Sequence, residues 1–262
     1  MFVFYRLLLA HFIADYPMQW SAFLRWKVKS IWGKAVHSGL HVLVSILLLI
    51  PYWNTLGLWT FMLILFLTHF FQDWLKIFIF HGKKSDDVFT FLMDQVLHFI
   101  VLALVLLFPF AKEVRHLPAL GALYNNTIYI IVFTGIFAAT YAGSVLLYYL
   151  KKTFIDERSG FDQGYDGMGE RAAIFFLVLL GGYYWFLIPL AVFFKVIFYF
   201  SNVLQVRPGF DIILGEKNTV VRNRTIERKG EIAMDLMASP AWAIITALVV
   251  QGLAYSLGGK LL

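Results

Sequence analysis

"GLWTFMLILFLTHFFQDWLKIFIF", residues 57–80, is the stretch that decides the fold. It is longer than the roughly 20 residues a helix needs to cross a bilayer. Its only ionisable side chains are His69, Asp73 and Lys76. Lipid offers no water to an open backbone, so a run of this length and composition reads as a membrane helix. Comparable apolar runs occur at 1–17, 35–51, 89–110, 127–150, 171–188, 190–206 and 232–257. None has the short alternating pattern of a barrel strand. With 60% hydrophobic and 15% charged residues, the chain reads as an all-α polytopic membrane protein of about eight transmembrane helices. Residues 1–17 lack the basic leader and small-residue cleavage site of a signal peptide, so they are expected to stay as the first helix.

The basic residues fix an orientation. If all eight runs cross, the connections 18–34, 76–88, 151–171 and 207–231 share one side. They leave only Arg6, Lys112, Arg115, Lys195 and Lys260 elsewhere among the 22 Lys and Arg residues. The positive-inside rule makes that side cytoplasmic and places the protein in the inner membrane, with both termini outside. The connections 151–170 and 207–231 are therefore expected to be cytoplasmic loops. The second mixes acids with bases and has no interleaved aromatics, so it suits lipid head groups rather than nucleic acid. The run 190–206 is short and contains Lys195, which leaves its crossing open. The absence of cysteine excludes disulfides, thiolate metal sites and cysteine nucleophiles.

Each of the first four runs carries one polar pair, and every pair is spaced i, i+4. The pairs are His11 and Asp15, His37 and His41, His69 and Asp73, and Asp94 and His98. Residues four apart share a helix face. An isolated charge in hydrocarbon costs roughly 2.5–3.5 kcal/mol on insertion scales, so eight such groups are best accommodated by converging on cations. His11 precedes His69 by 58 residues, as Asp15 does Asp73; His37 precedes Asp94 by 57, as His41 does His98. Residues 1–51 and 57–110 thus read as two copies of one hairpin, and 1–110 as a four-helix bundle built around a metal site. Residues 111–262 read as a helical scaffold or gating half.

Nitrogen and oxygen ligands without sulfur suit zinc first, then iron, manganese or cobalt, and the inventory is sufficient for two divalent ions. Gln19, Gln72 and Gln95 lie close enough in sequence to orient ligands. Asp15, Asp73 and Asp94 are candidate ligands or bridges, one of them free to act as general base. Glu170 and Arg171 are candidate contacts to a substrate head group.

The residues His11, Asp15 and Gln19, then His37 and His41, then His69 and Asp73, then Asp94, Gln95 and His98 resemble the pattern of a family of uncharacterised bacterial and phage membrane proteins. That family is classed as a domain of unknown function. The resemblance is strong over roughly 7–105 and extends more weakly to "GMGERAAI" at 167–174. It carries no activity with it. More loosely, the pattern is similar to membrane-bound metal-dependent hydrolases. The spacing alone is similar to zinc-dependent phospholipase C and P1-type nucleases.

The function expected is a membrane metal-dependent hydrolase acting on a phosphate ester of a lipid or lipid-linked substrate. Its partners would then be membrane lipids. Two alternatives use the same ligands: a divalent-metal transporter and a di-iron membrane oxidoreductase. A purely structural metal site is the plainest reading. The outer halves of the runs, such as "LVSILLLIPYW" at 43–53, offer no polar stepping stones for a permeating ion. No His-x-x-His-His box favours di-iron chemistry.

Overall fold

The computed structural model describes residues 1–81, 83, 86–155, 166–205 and 218–258, without the side chains of 166, 198–205 and 218–229. The described residues are helical or in short connections, with no strand. Five helices are long and apolar enough to cross a membrane: Ile31–Leu48, Leu56–Phe80, Val88–Leu107, Thr127–Phe154 and Gly230–Ser256. The chain divides into two units. The first comprises Met1–Ala138 with a short stretch from Leu253, and the second comprises Ala139–Gly252.

The first unit is organised around its first helix. α1 (Phe2–Asp15) has 14 residues, about 21 Å at 1.5 Å per residue. It is shorter than those five helices. Residues on every side of it are buried, from Phe2 and Val3 to His11 and Ala14. A helix that is apolar all round belongs inside a bundle. α1 packs against α3 (Ile31–Leu48), α5 (Val88–Ala103) and α7 (Thr127–Phe137). α3 in turn packs on α4 (Leu56–Phe80), and α4 on α5. The contacts α1–α3–α4–α5–α1 close a ring of four. Outward, α4 presents Trp59, Leu63, Phe71, Trp74 and Phe78, all exposed. Apolar exposure on this scale suits lipid rather than water.

The connection 18–34, expected to be a plain loop, contains α2 (Ser21–Lys29). Phe23 and Lys27 are its buried residues, one turn apart on a single face. Gly33 sets how closely this helix approaches α3. A Cβ there would lie 2.5 Å from the Trp26 carbonyl oxygen and 2.7 Å from the Lys27 nitrogen. Among the described residues, nothing comparable intervenes between α4 and α5, which residues 81–87 separate. The two halves of the ring are thus joined differently.

Far from α2, the bundle is closed by Tyr52 and Tyr124. Tyr52 donates to the Glu113 carbonyl at 2.8 Å and accepts from the Arg115 backbone nitrogen at 3.1 Å. Tyr124, on the short α6 (Gly121–Asn125), donates to the Leu48 carbonyl at 2.9 Å. Burial pushes both phenols above their ordinary values, so they stay neutral donors. Arg6, fully buried in α1, donates to the carbonyls of Phe2 and Tyr124. Its guanidinium lies 4.5 Å from the Tyr124 ring centroid, so carbonyls and aromatic faces compensate its charge.

In the second unit, α8 (Gly143–Phe154) follows a π-helical turn at Ala138–Ala142. The apolar run 171–188 is not one helix. α9 (Asp166–Leu180) stops at Gly181 and Gly182, whose φ values of +68° and +55° only glycine adopts freely, and a 3₁₀ segment follows. α10 spans Ile188–Gln205. α11 spans Asn218–Ser256, so the C-terminal part of the expected loop 207–231 is helical. The remainder of that loop, and 156–165 of the loop 151–170, lie outside the described residues.

Candidate metal centre

The four sequence pairs meet in one layer. Asp15 is the last residue of α1, and His37 lies two turns into α3. Asp73 lies two turns before the end of α4, and Asp94 two turns into α5. These positions alternate between late and early parts of successive helices, so the ring runs up and down and brings one end of each helix together. All five histidines are buried to at least 97%, with His37 fully enclosed.

Asp15 is the hub. Its Oδ1 is 3.1 Å from Nε2 of both His37 and His41 and 3.9 Å from Nε2 of His69. Its Oδ2 is 3.3 Å from His11 Nε2. The His41 and His69 rings are 3.7 Å apart between centroids, and those of His69 and His98 are 4.3 Å apart. One donor atom from each of Asp15, His37, His41 and His69 can be chosen so that all lie within 4.8 Å of one another. The same holds for His69, Asp73 and His98. Three imidazoles and a carboxylate oxygen at this spacing are the donor set of a four-coordinate divalent ion.

The hydrogen-bond inventory points the same way. His98 Nδ1 lies 2.7 Å from the Asp94 carbonyl oxygen, which can only accept. In the neutral ring this leaves the lone pair on His98 Nε2, an atom buried without a hydrogen-bond partner, as is His69 Nε2. Buried polar atoms are normally satisfied. A cation would satisfy these two.

Two of the eight expected ligands stand aside from both groups. His11 leans on Asp15 and on Gln95 Oε1, at 3.4 Å. Asp94 pairs through Oδ2 with Lys76 Nζ at 2.7 Å. Of the glutamines, Gln95 accepts from Tyr16 Oη at 3.1 Å as well as meeting His11. Gln72 Oε1 is buried without a hydrogen-bond partner. Gln19 is half-buried and, among the described residues, bonds through its side chain to none of these groups.

Sequence reasoning missed Lys27. Its Nζ stands 2.8 Å from Asp73 Oδ2, with both side chains more than nine-tenths buried. Lys34 is also buried, its ammonium on the carbonyls of Val28 and Ser30 at 3.2 and 3.4 Å. The available signal was the pair Phe23 and Lys27, four apart on a short amphipathic helix. Lysine counted only as flanking charge hides that signal.

Glu170 and Arg171 belong to the second unit and form a network there. Arg171 donates to the carbonyls of Ala139 and Thr140 at 2.9 and 3.0 Å, to Ser239 Oγ at 3.1 Å and to Ser144 Oγ. The π turn supplies those carbonyls. Glu170 pairs with Lys195 at 2.6 Å and accepts from Ser239 Oγ at 3.3 Å.

Residues 3–120 match the family DUF3307, described as a protein of unknown function. The match encloses every expected ligand and Lys27, and leaves Glu170 and Arg171 outside. It agrees with the resemblance to an uncharacterised family expected over 7–105. No curated protein and no solved structure matches the chain.

Proposed function

We propose that the DUF3307 region is the metal centre of a membrane hydrolase acting on a phosphate ester of a lipid or lipid-linked substrate. The observation that carries this reading is the convergence of Asp15, His37, His41 and His69 from three helices onto one point. A divalent ion held there would lower the pKa of a bound water toward neutrality and polarise a phosphoryl oxygen. The chain's own residues would do the rest. His11 and Gln95 hold Asp15 in place, and Asp94 sets the tautomer of His98 through its carbonyl. Lys27, Lys34 and Lys76 gather positive charge where a phosphate would arrive. Zinc is the metal expected for three imidazoles and a carboxylate.

The wider architecture is part of the proposal. Besides the five long apolar helices, α1, α9 and α10 would complete eight crossings. The layer would then face the cytoplasmic leaflet of the inner membrane. The ring α1–α3–α4–α5 would be a duplicated hairpin, with α2 added to the first copy only.

The test is elemental analysis of the purified protein beside a His41→Ala/His98→Ala variant, followed by lipid-phosphate release with and without chelator. The expected result is stoichiometric metal lost in the variant, and chelator-sensitive release. Equal metal in both proteins, or none in either, would remove the centre. Metal uptake into proteoliposomes without phosphate release would establish transport instead.

A further inference from the structure

We infer that Lys27 is the second cation of this centre, so that the site takes one divalent ion and one ammonium rather than two ions. The inference rests on the metal reading above.

The two ligand groups are not independent. Both include His69, whose Nε2 faces the carboxylates of both, 3.9 Å from Asp15 and 3.5 Å from Asp73, and whose ring lies 3.7 and 4.3 Å from those of His41 and His98 between centroids. One nitrogen lone pair serves one ion. If the quartet Asp15–His37–His41–His69 is filled, a second ion would have to be held by Asp73 and His98 with water completing its shell, so its binding turns on whether Asp73 is free. Asp73 is already engaged. Its Oδ2, the atom that faces His69 at 3.5 Å and His37 at 3.6 Å, has the Lys27 ammonium at 2.8 Å. The contact is an ion pair without a directed hydrogen bond, which suits a cation seated where a metal would otherwise go.

Lys27 is also built in. Phe23, one turn earlier on α2, packs on the His37 ring at 5.9 Å between centroids. Gly33 lets the backbone at Trp26 and Lys27 lie against the start of α3, where any side chain would collide with it. The stretch of α2 that carries Lys27 is therefore fixed at two points, Phe23 and Gly33.

Charge supports the same count. Asp15 and Asp73 are the carboxylates of the two groups, while Asp94 is paired with Lys76. One divalent ion plus the Lys27 ammonium exceeds the two carboxylates by one positive charge, to which the buried Lys34 ammonium adds another, and that balance suits an incoming phosphate ester. A second divalent ion beside the ammonium would add two further positive charges to a buried site, a far larger desolvation penalty. An anionic group bridging an ion and an ammonium meets the same clamp that two ions would supply.

The experiment uses the full-length chain in detergent, stripped with chelator, reloaded with zinc and freed of excess metal. Zinc per chain is then measured by mass spectrometry. The wild type is expected to retain about one zinc, Lys27→Met about two, and Lys27→Arg about one again. Asp73→Asn is expected to keep its single ion, because Asp73 faces the ammonium. A wild-type value near two overturns the inference, as does Lys27→Met remaining at one. If Lys27→Met does not fold, loss of zinc in Asp73→Asn overturns the inference independently. Zinc absent from the wild type removes the metal reading itself, which is a different result from any of these.

Discussion

His98 Nδ1 lies 2.7 Å from the backbone carbonyl oxygen of Asp94, one helical turn earlier. This bond, and not the Asp94 carboxylate, fixes which nitrogen of the imidazole faces the cluster. The carboxylate is turned to Lys76 at 2.7 Å. The pair that looked like two ligands in sequence is thus one candidate ligand and its backbone support.

Asp94→Asn should therefore leave metal content unchanged. The carbonyl survives the substitution, and what is lost is the ion pair with Lys76 and a longer 3.7 Å charge contact from Asp94 Oδ1 to His98 Nδ1. Lys76 is 22% exposed at its side chain, so its ammonium can reach out toward water. A stability loss of about 1 kcal/mol is expected, as for a partly exposed pair. Elemental analysis and thermal unfolding in detergent check the two halves of this statement. A metal loss as large as that of His41→Ala would make the carboxylate a ligand.

Asp15 and His11 should separate cleanly. Asp15 Oδ1 faces His37, His41 and His69, so Asp15→Asn should remove most bound metal. His11 meets Asp15 through the other oxygen, Oδ2, at 3.3 Å. His11→Leu should weaken zinc affinity by about 10–100-fold, the usual effect of a supporting residue. Its content at saturating zinc should match the wild type. Titration against a competing chelator distinguishes the two effects.

Gly33→Ala tests α2 without touching a charged residue. The new Cβ would stand 2.5 Å from a backbone oxygen and 2.7 Å from a backbone nitrogen, and neither can rotate away. α2 must shift, at a cost of about 1–3 kcal/mol for overpacking. The shift draws Lys27 off Asp73, so zinc stoichiometry should rise toward that of Lys27→Met. A variant that loses stability but keeps wild-type stoichiometry would show that Lys27 follows Asp73 by its flexible stem.

Much of the first unit was legible because its rule is cheap to read. Ionisable groups are costly in lipid, so their spacing in apolar runs records which helix faces must converge. That logic brought His37, His41 and His69 together with Asp15 from sequence alone. It failed where the chain leaves the apolar runs. "SAFLRWKVK" at 21–29 reads as a basic connection, yet one turn of spacing aims Phe23 and Lys27 into the bundle. It failed again at 171–188, where composition is continuous but Gly181 and Gly182 break the helix. Hydropathy counts apolar residues and is blind to both the sign of a buried charge and the backbone of glycine.

Arg171 is the remaining expectation to decide, because a head-group contact and a structural strut predict opposite kinetics. Its guanidinium is 2% exposed as a residue and bonded to two carbonyls of the π turn and to two hydroxyls. Glycines make room for it: a Cβ on Gly167 would sit 2.6 Å from Arg171 Nη1, and one on Gly143 would sit 3.0 Å from its Nε. A lysine has one ammonium where this site uses three guanidinium nitrogens, so the exchange is not conservative. Arg171→Lys and Arg171→Met should each destabilise the protein by about 3 kcal/mol or more, since both leave buried acceptors unpaired. Zinc content should stay at the wild-type value. If Arg171 instead reads a substrate phosphate, stability should hold while KM rises and kcat is kept. Thermal unfolding and lipid-phosphate release on the same two variants separate the outcomes, and the bonding observed favours the first.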